Sequence, residues 1–310
     1  MPHNHSSIQS GLTTAFWLNA VFSLIEIAGG LYTNSTAILT DAIHDLGDTV
    51  AIGSGVLLEK LSVKKRTKNY SYGYKRFSLL SAFVLSVLLI GGSVIMLIKA
   101  VSALSNPHEV NSLGMLWLAV LGIVVNGLAF LKIKNHGNTD HSQHVHVHNH
   151  SHHSHSHSQN SQALMLHMLE DGLGWAAVLV GSIIIYFTKW FWIDPLLSIG
   201  IALFILFNAI KNLIQTSRIF LQAVPENVNI AQLTKDIMEI KGVKNVHDVH
   251  VWTLDGTYSI STVHVVVEKE NISNQRELRD KIEKIMDQYS INHPTLQIET
   301  SDAPCSLANC

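Results

Sequence analysis

Charge is what this chain has least of: 14% of its 310 residues are Asp, Glu, Lys or Arg, against about a quarter in ordinary soluble proteins. The shortage is uneven. Outside one basic cluster near Lys64, charged side chains are sparse up to about Phe220 and frequent from Glu226 onward. With a positive mean hydropathy of +0.23, the first region reads as membrane. Cysteine is almost absent, since Cys305 and Cys310 are the only two; a disulfide framework is excluded and a reducing compartment is compatible. The net charge is −2 and no basic run interleaved with aromatics occurs, so nucleic acid is not an implied partner. The opening residues, Met1-Pro2-His3-Asn4-His5, lack the basic start and short apolar core of a removable signal peptide, so the first apolar stretch is expected to be retained.

Long apolar runs are what the chain does have. A helix needs about 20 mostly apolar residues to cross the hydrocarbon core, and six stretches meet or approach this: Leu12 to Leu31, Ala37 to Leu58, Leu79 to Leu104, Leu113 to Leu131, Ala163 to Phe187 and Ile193 to Ile214. Short cytoplasmic loops are enriched in Lys and Arg. Lys60, Lys64, Lys65, Arg66, Lys68, Lys75 and Arg76 fall between the second and third stretches, while Ser105 to Ser112 has neither residue type. Both termini and the loop bearing Lys132 and Lys134 are therefore expected in the cytoplasm; Lys189 is the single dissenter.

From Val224 the pattern changes to amphipathic helix and alternating strand, in the order helix, strand, strand, helix, strand. Helices on one face of a small sheet would form an α+β layer. The expected organisation is a tail over residues 1–11, a six-helix transmembrane domain over 12–220 and a cytoplasmic domain over 224–310. A histidine-rich loop over 135–160 interrupts the helical part. Its low complexity cannot bury a core, and His141, His144, His146, His148, His150, His152, His153, His155 and His157 make it a weak metal-gathering tether or a tolerated linker.

Two of the six spans are chemically impure. Asp41, His44, Asp45 and Asp48 interrupt the second; His167, Glu170 and Asp171 interrupt the fifth. Each contains His-x-x-x-Asp, and residues four apart share a helix face. Two such helices facing one another would converge His44, Asp48, His167 and Asp171 on one point. That donor set suits four-coordinate Zn²⁺, which takes nitrogen and oxygen ligands and has no redox chemistry. A single such motif is weak, because polar pairs arise at that spacing by chance. Ionisable groups at membrane depth are costly, so a repeated motif there points to function. Asp45 and Glu170 sit about 100° around their helices from a neighbouring ligand, which suits supporting or packing roles. Glu26 and Asn126 are further polar residues at membrane depth.

These residues resemble the cation diffusion facilitator family of zinc-transporting metal/proton antiporters over essentially the whole chain. The likeness rests on the two His/Asp pairs, on Tyr72-Gly73-Tyr74-Lys75-Arg76, on Asp194-Pro195, and on Val246-His247-Asp248-Val249-His250-Val251-Trp252. It implies a transport site at His44, Asp48, His167 and Asp171, zinc as cargo with cadmium, cobalt or iron as alternatives, exchange for protons, a homodimer in a lipid bilayer, and a ferredoxin-like or metallochaperone-like cytoplasmic domain. It also makes His247, His264 and Glu299 the better regulatory metal ligands there, and offers Cys305 and Cys310 with His3 and His5 as a second site beside the simpler reading of isolated thiols. The chain departs from the family pattern at Phe77 and Ser78, where an acidic residue is common, and at Glu170 and Trp175. Strand alternation places His247 and Val249 on one face and His250 on the other.

Two rival classes carry less. An intramembrane metalloprotease would need a general base beside its ligands, as in His-Glu-x-x-His, and that sequence is absent, so no enzyme is expected. A membrane-anchored metal sensor would not need matched ligand pairs in two spans. Manganese would favour a more oxygen-rich set. The membrane of residence is expected to be a bacterial inner membrane.

Overall fold

The computed structural model describes residues 5–62, 66–137, 156–268 and 275–300, with side chains over 16–50, 53–54, 66–128, 171–268 and 275–300. Six long helices come first: α1 (His5–Thr33), α2 (Thr36–Ser62), α3 (Phe77–Ser105), α4 (Ser112–Gly137), α5 (Ser156–Thr188) and α6 (Ile193–Phe220). Among the described residues four helical stretches are long and apolar enough to cross a membrane, within α1, α3, α5 and α6; α4 adds the shorter Ser112–Leu128. α2 is as long, but Asp41, Asp45 and Asp48 fall within about two of its turns. Large apolar side chains such as Leu24, Leu88, Ile98 and Phe207 point outward, as they do where lipid replaces water around a helix bundle.

The chain forms two compact units, Met1–Gly53 with Leu85–Ile210 and Ser54–Val84 with Lys211–Cys310. In the first, α1 and α2 are separated by a single reversal at Asn34, whose φ of 56° lies in the left-handed region. The next helix start is capped from a distance. Asp194, at the head of α6, accepts from Thr36 N at 2.7 Å and Thr36 Oγ1 at 2.8 Å, and also from Ser35 Oγ. A carboxylate at a helix N-terminus satisfies N–H groups that no intrahelical carbonyl reaches and meets the positive end of the dipole. One turn on, the Thr40 and Ser198 hydroxyls are 2.7 Å apart. The Asp-Pro dipeptide of the sequence thus pins the start of α2 to α6.

The core of this unit gathers Phe22, Ile38, Met115, Trp175, Val178 and Ile185. Trp175 is fully buried and lies edge-on to Phe22, with ring centroids 5.9 Å apart. Its indole fits because α4 offers a glycine: a Cβ on Gly122 would come within 2.3 Å of the ring. A bulky side chain on α5 is therefore matched by the absence of one on α4. α5 ends at Thr188, and Lys189 follows in the left-handed conformation (φ 57°) with its N–H bonded to Ile185 O at 2.9 Å, the geometry of a helix C-cap.

The second unit contains α7 (Ile230–Met238), β1 (Val243–Thr253), β2 (Ser259–Val267), α8 (Gln275–Gln288) and β3 (Ile291–Thr300). This is the element order expected from the sequence. The sheet order is β1-β2-β3. β1 pairs antiparallel with β2 through a short turn, whereas β2 pairs parallel with β3 because α8 intervenes as a crossover. Asn229 caps α7 by accepting from Gln232 N at 3.2 Å. Both helices are amphipathic and put Leu233, Ile237, Leu278, Ile282 and Met286 against Val263, Val265 and Val267 of the sheet, forming one apolar core. Tyr289 donates to Asp236 at 2.6 Å; that bond holds the Asp236 carboxyl below its ordinary value and pushes the tyrosine up.

Candidate metal sites

Among the described residues two histidine and carboxylate clusters emerge, one in each unit. In the first, α2 presents His44 and Asp48 one turn apart, with His44 Nε2 3.6 Å from Asp48 Oδ2. α5 brings Asp171 to the same point, Oδ1 lying 3.8 Å from His44 Nε2. Two ligand atoms on one tetrahedral zinc are separated by about 3.4 Å when each bond is about 2.0–2.1 Å. The observed separations differ from that by a few tenths of an ångström, so small side-chain rotations suffice. His167 lies on α5 four residues before Asp171; its side chain is outside the described residues.

α2 is held in place here by a close fit with α3. A Cβ at Gly47 would meet Leu89 at 2.5 Å, and a Cβ at Gly92 would meet Ile43 at 2.8 Å. The turn that carries His44 therefore packs directly on α3, with no space for larger side chains. Beside the ligands, Asp41 and Asp45 are nearly buried and Glu26 of α1 is fully buried. Glu26 lies within electrostatic reach of both. Helix geometry explains the division: Asp41 and Asp45 form one stripe four residues apart, and His44 and Asp48 form the adjacent stripe about 60° around the helix. Asp45 also accepts at its backbone carbonyl from Asn19 Nδ2, 3.4 Å away.

The second cluster depends on strand register. β1 and β2 place His247 directly opposite His264, and β3 brings Glu299 alongside. Their ligand atoms all lie within 4.8 Å of one another. His264 Nδ1 is 2.9 Å from Glu299 Oε1 and His247 Nε2 is 3.5 Å from Glu299 Oε2. The His247 Nε2 atom is buried without a hydrogen bond, which is costly unless something occupies its lone pair or proton. Two imidazoles and a carboxylate are borderline donors suited to zinc, so the residues fit such an ion.

The alternation expected for β1 fails at this place. The register shifts between His247 and His250, and Asp248 adopts a φ of 49°. Such a bulge inserts an extra residue and re-aims the side chains that follow. Val246, Val249 and Val251 consequently all pack in the core, so His247 does not share a face with Val249. The bulge also brings in a residue that sequence reasoning passed over. Asp248 Oδ2 is 3.5 Å from His264 Nε2 and its Oδ1 is 2.8 Å from His250 Nε2. The clue was the sequence His247-Asp248-Val249-His250 itself, but simple alternation hid it.

The remaining sequence candidates were His3 and His5 with Cys305 and Cys310, and the loop histidines His141, His144, His146, His148, His150, His152, His153, His155 and His157. His5 begins α1 and His157 is the second residue of α5, but their side chains are outside the described residues, and the others lie outside them altogether.

The helical unit thus carries a His/Asp cluster between two of its helices, and the second unit carries a His/Glu cluster on its sheet. Comparison with known proteins places this arrangement in a family. Residues 12–221 match the family model of the cation efflux transmembrane domain, and residues 225–301 match that of the cation efflux protein, cytoplasmic domain. The chain is 32% identical to the zinc transporter ZitB of Escherichia coli (strain K12), covering 100% of this chain and 96% of that one. It is 31% identical to the metal cation efflux system protein CzcD of Cupriavidus metallidurans, over 99% of this chain and 91% of CzcD. It is 30% identical to the cadmium, cobalt and zinc/H(+)-K(+) antiporter of Bacillus subtilis (strain 168), over 96% of this chain and 91% of that protein. The chain belongs to the cation efflux, or cation diffusion facilitator, family: it is a multi-pass membrane protein and a transporter of metal cations.

Proposed function

We propose that this protein exports Zn²⁺ from the cytoplasm in exchange for protons, with His44, Asp48, His167 and Asp171 as the transport ligands. The observation that carries this reading is His44 of α2, whose Nε2 lies 3.6 Å from Asp48 Oδ2 on the same helix and 3.8 Å from Asp171 Oδ1 of α5, inside the helical unit. The side chains of all three retain some exposure, 13–20%, as an ion path requires. Metal ligands must be deprotonated to bind, so protons and metal compete for the same atoms. Histidine titrates near pH 6.5 in the absence of perturbation, which puts that competition within the physiological range. Zinc arrives while the site faces the cytoplasm; protons displace it when the site faces outward. Relatives named for zinc alone, and for cadmium, cobalt and zinc together, support zinc as main cargo and cadmium or cobalt as second ones, with iron a weaker candidate on the same ligand chemistry.

The same reading assigns residues 1–11 to a cytoplasmic tail, 12–220 to the transport domain and 224–310 to a domain that dimerises and senses metal. His247, His264 and Glu299 hold a regulatory zinc there, with Asp248 orienting His264. Both termini face the cytoplasm of a bacterial inner membrane, and the histidine loop gathers zinc weakly. The match of residues 225–301 to the family model of the cation efflux protein, cytoplasmic domain, supports the cytoplasmic placement of the C-terminal domain. The test is flux into inside-out vesicles: an imposed pH gradient, acid on the side that receives metal, accelerates zinc transport. A rate indifferent to that gradient contradicts proton exchange.

A further inference from the structure

The α1–α2, α3–α4 and α5–α6 connections meet at one end of the helical unit. Asn111 N bonds to Thr33 O at 2.9 Å, Asn34 Nδ2 bonds to Glu109 O at 3.3 Å, and Asp194 at the head of α6 holds Thr36 N at 2.7 Å. Between that end and the ligand turn the interior is closed among the described residues. Ile38 of α2, Met115 and Ala119 of α4, and Val178 and Ile185 of α5 are all fully buried, whereas the ligand side chains keep 13–20% exposure.

Trp175 occupies the first turn of this closed zone. It lies four residues after Asp171, on the same face of α5 and in the direction of Thr188. Its indole fills the space where α1, α4 and α5 meet. Phe22 lies edge-on at 5.9 Å, and a Cβ on Gly122 would stand 2.3 Å from ring atom Cδ2 and 2.5 Å from Cε2. α2 comes in beside it, since a Cβ on Gly174 would be 3.8 Å from Asp41 Oδ1. Despite full burial, the indole Nε1 finds no hydrogen-bond partner among the described residues. A buried indole N–H ordinarily has one, and leaving the bond unmade is costly. The ring is therefore held by shape alone, and any arrangement of the helices that gives the N–H an acceptor or a water competes with this one.

We infer that Trp175 is the exit-side plug of the transport path, seated on Gly122, and that metal leaves only when the indole leaves that seat. On the export reading, on which this role rests, the connected end faces outward and the ion passes from the ligands toward it. Alternating access needs a barrier on the side opposite the open one, made by packing one group of helices against another around a fixed site. A bulky apolar side chain across a narrow passage excludes water, and protons and ions with it. Gly122 makes the seat specific: any side chain there would overlap the ring. The role is gating and not ligation, because the indole nitrogen is a donor only and offers no lone pair to a metal.

The test is the proton permeability of zinc-free proteoliposomes holding the full-length protein, followed with an internal pH dye while a potassium diffusion potential draws protons across. Wild type should stay at the level of protein-free vesicles. Gly122→Ala, which unseats the ring without removing it, and Trp175→Ala should each raise the leak at least about fivefold. Trp175→Phe combined with Gly122→Ala, in which a smaller ring meets an added methyl, should leak less than Gly122→Ala alone. Ile185→Ala is the control: it empties a fully buried position of the same core, about 15 Å further along α5, and should leave the leak within about twofold of wild type. A leak unchanged in Gly122→Ala or in Trp175→Ala, an Ile185→Ala variant as leaky as those two, or a double variant as leaky as Gly122→Ala would each overturn the plug. Should Trp175→Ala not fold, Gly122→Ala and the double variant carry the test. Zinc flux under a pH gradient in Asp48→Ala bears on the export reading alone: flux persisting there overturns that reading, whereas the leak is measured with no zinc present.

Discussion

The helical unit and the soluble domain each gather imidazoles and carboxylates, and they do so by opposite means. In the helices the ligands come from one turn of α2 and one position of α5, are spaced 3.6 and 3.8 Å apart, and keep 13–20% exposure. In the soluble domain they come from three hydrogen-bonded strands, approach to 2.9 Å, and His264 and Glu299 are 8% and 9% exposed. The first arrangement is more open and is assembled from side chains on two separate helices. The second is nearly closed and held by a ladder of backbone bonds that resists movement. On the proposed reading, the cluster that releases its ion on every cycle is the more open one and the cluster that reports metal concentration is the more closed one.

The sharpest way to break this comparison is to remove one ligand from each side. Asp48→Ala should reduce zinc flux by about 100-fold or more, since a four-ligand site loses charge and geometry together. His264→Ala should leave flux at saturating zinc within about threefold of wild type, yet weaken zinc binding at the soluble site at least about tenfold. Calorimetric titration of full-length protein carrying Asp48→Ala, with and without His264→Ala, isolates that second effect. If His264→Ala abolished flux and Asp48→Ala did not, the roles of the two clusters would have to be exchanged.

The two cores can be compared as well. Trp175→Ala removes the largest fully buried side chain among the described residues of the helical unit and should cost about 3–5 kcal/mol, and Ile282→Ala in the soluble core about 2–5 kcal/mol. Thermal unfolding followed separately by tryptophan fluorescence and by far-ultraviolet circular dichroism should show that each mutation lowers its own transition first. A smaller effect is expected at the cap of α7: Asn229→Ala should cost about 1 kcal/mol, visible as a shift of the soluble-domain transition alone.

The smallest effect is that of pH on the β1–β2 turn. Asp255 Oδ1 accepts from Thr257 N at 2.9 Å and from Tyr258 N at 2.8 Å, and the carboxyl is held below its ordinary value of 3.8. Its contribution to stability is therefore fully present above that pH and is lost as pH falls through the lower folded value. Exchange of the Thr257 and Tyr258 amide hydrogens, corrected for intrinsic rates, should stay constant from neutral pH down to about pH 4 and accelerate only below it. An acceleration beginning near pH 6 would mean that the histidines of the sheet control the turn instead.

How much could be read from the chain itself differs between the two regions for a physical reason. On a helix, contact partners within one element recur every three or four residues, so His44 with Asp48 and His167 with Asp171 are visible as written. Convergence of α2 with α5 was an inference from the cost of charge in lipid, and it also made Asp171 a partner of His44. In the sheet the partners are distant in sequence, and register decides which residues meet. The element order and the membership of His247, His264 and Glu299 were legible, the latter through family resemblance. The bulge at Asp248 was not, because a local left-handed φ at a non-glycine residue leaves no compositional trace. The pairing of Trp175 with Gly122 and the capping of α2 by Asp194 were equally hidden: each joins residues far apart in the chain, whose identities become meaningful only when the packing is known.

The transport role proposed for His44, Asp48, Asp171 and His167 is tested most directly by zinc uptake into proteoliposomes with a pH gradient imposed, comparing wild type with Asp48→Ala and Asp171→Ala. Wild type should show gradient-driven uptake and both variants background uptake; equal uptake by all three would contradict that role.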